Sequence, residues 1–110
     1  MEPNWSIKEN KQLLDAVIAV RNEADAKAFL RDLLTPQEIE EFSKRLEAAR
    51  LLLWKVRYES IVQKTGLSST TVARISKFLN GPIGGYRKIL GRIGRTHHNA
   101  LPPSGKGLSS

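Results

Sequence analysis

Between Ser69 and Lys77, short polar side chains and cations recur at the spacing of one helix face. With about 3.6 residues per turn, the stretch STTVARISK turns hydroxyls, one methyl group and two positive charges to the same side. The members of this face are Ser69, Thr70, Ala73, Arg74 and Lys77. Short side chains of this kind can enter a major groove without steric conflict, and the cations can contact phosphates. The chemistry that the pattern predicts is recognition of double-stranded DNA.

The residues before this face supply the turn that it needs. Gly66 stands between two short apolar-periodic runs, and a helix-turn-helix requires a sharp turn that usually contains glycine. The predicted pieces are a first helix at about 57–65, a turn at 66–68 and a second helix at about 69–79. Leu67 would plug the turn, and Ser68 or Ser69 would cap the second helix. The residues expected to face inward are Ile61, Val62, Val72, Ile75 and Leu79. The alternative is a helical hairpin with no role in DNA binding.

Positive charge is concentrated in the half of the chain that holds this motif. The formal net charge is +7. Residues 1–54 contain eight Lys or Arg and ten Asp or Glu. Residues 55–110 contain ten Lys or Arg and a single acidic residue, Glu59. Such a one-sided basic half attracts polyanions, of which nucleic acid is the commonest. The charge distribution therefore agrees with the motif.

Three helices are predicted ahead of the motif. Apolar stripes indicate one helix at about 7–20 and another at about 23–34. A third begins at a capping box formed by Thr35 and Glu38. No stretch shows the sustained alternation of a β-strand. The sequence therefore predicts an all-α fold, with one helical domain over about 1–94 and a disordered basic tail over 95–110.

The third helix carries an apolar seam with heptad-like spacing. Its members are Ile39, Phe42, Leu46, Ala49, Leu53 and Val56. Near its end the run LLLW points all round the helix, so this end must be buried on every side. An ordinary core helix would explain the seam, and so would a helix shared with a second chain. A helix of about 20 residues is about 30 Å long, which three slender helices cover poorly. This length favours a dimer.

Residue types that carry other chemistry are absent or badly placed. Without cysteine the chain has no disulfide, thiolate nucleophile or cysteine-based zinc site. His97 and His98 are adjacent and cannot share a helix face. The stretch GPIGGYRK lacks the ending of a phosphate-binding loop, and no residues form an acid–base pair. No apolar run is long enough to span a membrane. We therefore expect a cytoplasmic protein that has no catalytic or metal site and no membrane partner.

The run LLTPQEIEEFSKRLEAARLLL, followed by QKTGLSSTTVARISKFL, resembles the Trp repressor superfamily, and GPIGGYRKIL resembles its YerC/YecD-type branch. The resemblance covers roughly residues 10–93. It implies about six helices per chain in an intertwined homodimer, with two recognition helices in successive major grooves of a palindromic operator. The seam helix would form the dimer core, through Ile39, Phe42, Leu46, Ala49 and Leu53.

The resemblance also assigns roles to single residues. By analogy with the family's recognition helix, Ser69, Thr70 and Ala73 would meet base edges. The expected phosphate contacts are Arg57, Lys64, Arg74 and Lys77. The family's corepressor pocket corresponds here to Thr35, Arg45 and Arg74, followed by Ile75 where tryptophan-sensing members have glycine. A pocket for a small-molecule corepressor is thus implied, but the Ile75 side chain argues against tryptophan, and no other cofactor is indicated.

The predicted function is that of a dimeric, sequence-specific transcriptional regulator, in particular a repressor. Two other functions remain open at this point. A nucleoid-type protein would bind DNA without a preferred site, and a helical adaptor would use the same motif to contact another protein.

Overall fold

The computed structural model describes residues 2–96, which form six α-helices and no strand. In chain order the helices are α1 (Lys8–Ala19), α2 (Glu23–Leu33), α3 (Pro36–Leu53), α4 (Tyr58–Thr65), α5 (Ser69–Leu79) and α6 (Gly85–Thr96). The predicted all-α class with about six helices is confirmed. The chain divides into two compact units after Ile39, a division that was not predicted from the sequence.

The first unit contains α1 and α2, neither of which has a buried residue. Asn22 caps α2, since the amide of Asp25 donates to its side-chain oxygen at 2.8 Å. The apolar stripes predicted from the sequence are largely exposed in the single chain. Their most exposed members are Leu13, Val17, Ile18, Leu30 and Leu33. These two helices are therefore amphipathic, with apolar faces that the chain itself leaves open.

The capping box at the start of α3 is present as two reciprocal hydrogen bonds. The amide of Thr35 donates to Glu38 Oε1 at 2.9 Å, and the amide of Glu38 donates to Thr35 Oγ1 at 3.1 Å. The amides of Thr35 and Glu38, at the start of the helix, have no partner within the helix and are satisfied in this way. The predicted start of the long helix is confirmed.

The end of α3 differs from the prediction. Val56 was expected to continue the apolar seam, but α3 ends at Leu53. The amide of Val56 donates to Leu51 O and that of Lys55 to Leu52 O, both at 3.0 Å, which closes the helix in a Schellman motif. Lys55 takes the left-handed conformation, with φ of 66°, that glycine usually occupies in this motif. Because a lysine stands there, the sequence carries no glycine signal for the helix end.

The second unit begins at Glu40 and builds one apolar core from the rest of α3 and from α4, α5 and α6. Its buried residues are Ala48, Ala49, Leu51, Ile61, Leu67, Val72, Ile75, Leu79 and Leu90. Ile61 and Val72 are fully buried. Of the six positions that the helix-turn-helix pattern places inside, five are in this core, namely Ile61, Leu67, Val72, Ile75 and Leu79, and the sixth, Val62, is half-buried and packs against it. The core thus fixes which side of α5 faces away from the protein.

The chain turns sharply between α5 and α6. Asn80 ends α5, and its amide donates to Ser76 O at 3.0 Å. Gly84 has φ of 71°, a left-handed conformation that favours glycine, and α6 begins at the next residue. Helix α6 then continues to Thr96, past the boundary at residue 95 predicted for the tail. Residues 97–110, the rest of the predicted tail, lie outside the described residues.

Candidate nucleic-acid interface

Thr65, the last residue of α4, and Gly66, which follows it, shape the turn between α4 and α5. Gly66 ends α4 with φ of 79°, and its amide donates to Val62 O at 2.8 Å. A Cβ at this position would have no atom within 4 Å, so the need for glycine is conformational rather than steric. The buried hydroxyl of Thr65 donates to Ile61 O at 2.7 Å and accepts from the amide of Leu67 at 3.2 Å. Thr65 therefore links the end of α4 to the turn.

Thr65 was not among the residues singled out in the sequence. The signal that could have found it is its position directly before the turn glycine, where a threonine hydroxyl can bond to nearby backbone groups. Leu67, which was predicted to plug the turn, is only 5% exposed.

Ser68 caps the second helix of the motif. Its hydroxyl oxygen accepts from the amide of Thr71 at 3.1 Å, and the hydroxyl itself donates to Thr71 Oγ1 at 2.9 Å. Of the two predicted candidates, Ser68 is therefore the N-cap residue, and the Ser69 side chain is exposed. The first turn of α5 contains no acidic residue, so the partial positive charge of this helix end is not neutralised from within the turn.

All five residues of the predicted recognition face, Ser69, Thr70, Ala73, Arg74 and Lys77, are exposed. The 100° rotation per residue of an α-helix places Thr70 and Lys77 directly opposite the buried side. Ser69 and Ala73 follow one edge of the face, and Arg74 follows the other. The structure therefore brings these residues together on a single surface of α5.

A further residue, Phe78, lies on the Arg74 edge of this face. Its side chain is 54% exposed, and the guanidinium carbon of Arg74 lies 5.7 Å from the centroid of its ring. The arrangement is a cation–π contact between positions one turn apart. The spacing of Arg and Phe by four residues was the signal available in the sequence.

The model of the Trp repressor protein family matches residues 8–93 of the chain. The chain belongs to the Trp repressor family. It is 33% identical over 89 residues to the uncharacterized protein YerC of Bacillus subtilis (strain 168). The matched region covers 81% of this chain and 86% of YerC. The resemblance to the Trp repressor superfamily and its YerC-type branch is thereby confirmed.

A solved structure supports the same relationship. The chain is similar to a TrpR-like protein from Eubacterium eligens ATCC 27750, with a TM-score of 0.73 and 32% identity. The match covers 82% of this chain and 93% of that one. The family and the fold are those of helix-turn-helix DNA-binding regulators rather than of enzymes.

Two cations of this Trp repressor family member flank the motif on α4. Arg57 precedes the helix as its N-cap residue and is exposed, and Lys64 is exposed in the last turn. The charge of Lys64 also acts within the protein. The pKa of Glu47 is lowered, first by its hydrogen bond from Arg50 and then, after the opposing effect of burial, by the positive charges of Arg50 and Lys64. Lys64 therefore lies within electrostatic reach of α3.

The arginines of the predicted effector pocket are engaged within their own helices. Arg45 pairs with Glu41 at 3.3 Å, and its guanidinium carbon lies 5.5 Å from the centroid of the Phe42 ring. Burial raises the pKa of Tyr86, and the charge of Arg45 opposes that shift. Arg74 lies over Phe78 in the same way. Each guanidinium thus has an aromatic ring of the same chain as its neighbour.

The two other residues of the predicted pocket have structural roles of their own. Thr35 caps α3 in the first unit. Ile75 is 3% exposed and belongs to the core of the second unit. The space that a glycine would leave beside Arg74 is therefore filled by an apolar side chain.

The residues of the predicted dimer core differ in how far the single chain buries them. In the single chain Phe42 is 44% exposed and Leu46 is 40% exposed. Ile39 and Leu53 are half-buried. Ala49 is fully buried within its own chain, so its burial requires no partner. A groove of about 250 Å³ adjoins Leu46, between α3 and α6; its lining is Ser43, Leu46, Glu47, Arg50, Leu90 and Ile93.

Over residues 2–96, no group of His, Cys, Asp and Glu could hold a metal ion. None of the described helices is both long and apolar enough to cross a membrane.

Proposed function

We propose that this protein is a sequence-specific transcriptional regulator, in particular a repressor, which binds a palindromic operator as a homodimer. The observation that carries the proposal is the setting of α5. One side is anchored in the core by Val72 and Ile75, and the opposite side presents hydroxyls and two cations to solvent. Membership of a family of DNA-binding regulators supports it.

Base and phosphate contacts would be divided along α5. Ser69, Thr70 and Ala73 would approach base edges, while Arg74 and Lys77, with Arg57 and Lys64, would take phosphates. Phosphate contacts supply affinity and register, whereas each good bidentate base contact discriminates by about 1–3 kcal/mol. Short hydroxyl side chains are weakly base-selective, so groove shape and bridging water would share the discrimination.

The second subunit would be another copy of this chain. The apolar faces of α1 and α2 are open in the single chain, and Phe42 and Leu46 are exposed on α3. Exposed apolar surface is unfavourable by about 25 cal/mol per Å², and contiguous patches mark interaction sites. A two-fold dimer would also present two recognition helices, about 34 Å apart, to the two half-sites of a palindrome.

Sedimentation of the full chain over a range of concentrations tests the dimer. We expect a dimer in the wild type and a shift toward monomer for Val17→Glu, which changes a residue that is 56% exposed. The matched control is Lys8→Glu, which adds negative charge to the same helix. A wild-type monomer at every concentration would remove the dimer from the proposal.

The corepressor, if this protein binds one, would not be tryptophan. The support for this is Ile75, whose side chain is packed into the core beside Arg74. Calorimetric titration with tryptophan should give no binding heat, and adding tryptophan should leave DNA affinity unchanged. Tight tryptophan binding would contradict the proposal and would require the core to open at Ile75.

Selection of bound fragments from the source genome, at near-physiological salt, tests the proposed function directly. A palindromic motif with half-sites about one helical turn apart is expected. Binding that shows no motif and vanishes as salt rises would favour a nucleoid-type protein. Absence of DNA binding at physiological salt would favour the helical adaptor.

A further inference from the structure

Arg87 of α6 is bonded to the C-terminal end of the recognition helix. Its Nε donates to Leu79 O at 2.9 Å, and its Nη2 donates to Asn80 Oδ1 at 3.3 Å. The Asn80 side chain in turn donates through Nδ2 to Ser76 O at 2.9 Å. One guanidinium thus engages the last helical carbonyl of α5 and the side chain that caps it.

The turn between the helices brings Arg87 to this position. The amide of Gly81 donates to Phe78 O at 3.2 Å, and a Cβ on Gly81 would lie 3.3 Å from Lys77 O. The left-handed Gly84 directly precedes α6, and the amide of Lys88 donates to Gly84 O at 3.0 Å. A side chain eight residues after Leu79 is in this way returned to the end of α5.

The physical effect of the contact is to satisfy the carbonyl of Leu79, the last residue of α5. The last carbonyls of a helix lack intrahelical donors and carry partial negative charge. A planar guanidinium offers several donors in a fixed fork and can satisfy two acceptors at once, which the point-like ammonium of lysine does not reproduce. The contact therefore depends on the shape of arginine as well as on its charge.

We propose that Arg87 is a positioning residue for DNA recognition, which holds the C-terminal turn of α5 in place so that Lys77 meets its phosphate. Lys77 lies in that same last turn, two residues before the carbonyl that Arg87 binds. The charge of Arg87 is used within the protein and not on DNA. This inference rests on the proposed function.

The neighbouring Lys88 provides a matched control. It carries the same charge on the same helix and is exposed. Arg87→Gln removes both charge and fork, Arg87→Lys removes the fork alone, and Lys88→Gln removes a charge outside the contact. Affinity of each full-length variant would be measured by fluorescence anisotropy across a salt series. The probe is a duplex with the selected motif, or a random-sequence duplex if no motif is recovered.

A positioning role and a phosphate contact predict different results. We expect Arg87→Gln to weaken binding by about 10-fold, as for loss of a charge-assisted hydrogen bond, with an unchanged slope of log affinity against log salt. Arg87→Lys should recover little of the loss. If Arg87 contacted phosphate, the slope would fall by about one unit and lysine would restore most of the affinity. That result, or wild-type affinity in Arg87→Gln, would overturn the inference.

Hydrogen exchange supplies a readout that needs no DNA. Amides in the last turn of α5 should exchange faster in Arg87→Gln and in Asn80→Ala than in the wild type, while those near Ile61 stay protected. Unchanged exchange in both variants would overturn the inference. If Arg87→Gln does not fold, Asn80→Ala and Arg87→Lys carry the same comparison. Wild-type protein that binds no DNA would count against the proposed function, whatever the exchange data show about Arg87.

Discussion

The guanidinium of Arg74 lies over the ring of Phe78, 5.7 Å from its centroid, on the exposed face of α5. An exposed cation–π contact of this kind contributes about 0.5–1 kcal/mol. It also favours one orientation of a long, flexible side chain before any partner arrives. The ring therefore biases where the charge of Arg74 is presented.

Replacing Phe78 with leucine should release Arg74 and weaken operator binding by about 3-fold, since about 0.5–1 kcal/mol of preorganisation is lost. The salt slope should not change, because no phosphate contact is removed. Arg74→Gln should lower the slope by about one unit. Equal effects of Phe78→Leu in the wild-type and Arg74→Gln backgrounds would show that the contact plays no part in binding.

Lys77 is opposite the buried side of α5, where a phosphate contact is expected. Lys77→Ala should weaken binding to all sequences alike and lower the salt slope by about one unit. Lys27→Ala, which removes an exposed lysine from α2, serves as the control and should leave the slope unchanged. The same slope in Lys77→Ala and wild type would mean that Lys77 does not touch phosphate.

Thr70 occupies the centre of the exposed face, and its replacement should change selectivity more than affinity. Thr70→Ala is expected to relax the preference at one base pair in each half-site, because one hydroxyl contact to a base edge is removed. Repeating the fragment selection with Thr70→Ala and with Ser43→Ala, an exposed hydroxyl of α3, checks this. An identical motif from both variants would take Thr70 out of the reading face.

Lys55 adopts a left-handed conformation that costs a non-glycine residue about 1 kcal/mol. Lys55→Gly should therefore raise the free energy of unfolding by about 0.5–1 kcal/mol, part of the gain being offset by the greater freedom of glycine in the unfolded chain. Urea unfolding at one fixed protein concentration measures the change. Lys55→Ala keeps the strain and removes the charge; a gain of the same size there would assign the effect to charge.

The ion pair between Glu47 and Arg50 makes a small, pH-dependent contribution to stability. Its N–O distance is 2.8 Å, and the hydrogen bond from Arg50 lowers the pKa of Glu47 from 4.5. A lowered folded-state pKa contributes stability above the unfolded value and loses it as pH falls through the folded value. Because both side chains are partly exposed, the contribution is about 0.5 kcal/mol or less.

Glu47→Gln should therefore be slightly less stable than the wild type at pH 7, and the difference should disappear as the pH falls below 4.5. Paired urea unfolding curves at several pH values test this. Glu59→Gln, which changes an exposed acid of α4, is the control. A difference that grows on acidification would contradict a lowered pKa of Glu47 in the folded protein.

The helix-turn-helix could be predicted from the sequence because its signals are local. The observed limits of α5, Ser69–Leu79, agree with those expected from a cap, a glycine turn and the 3.6-residue periodicity. The capping box at Thr35 and Glu38 was equally readable, since both partners lie within one turn. The end of α3 could not be predicted in this way. Lys55 takes a left-handed conformation there, and a lysine in the sequence does not indicate that conformation.

The sequence by itself determined the helical class, the face of α5 that is buried and the chemistry of the face left exposed. These follow from periodicity and capping, which depend on neighbours a few residues apart. Only the tertiary structure decided that Arg87 bonds to Leu79 O and that the chain divides after Ile39. Such contacts depend on how whole helices pack. The sequence alone does not distinguish an arginine that is exposed to solvent from one that binds a phosphate or the carbonyl end of another helix.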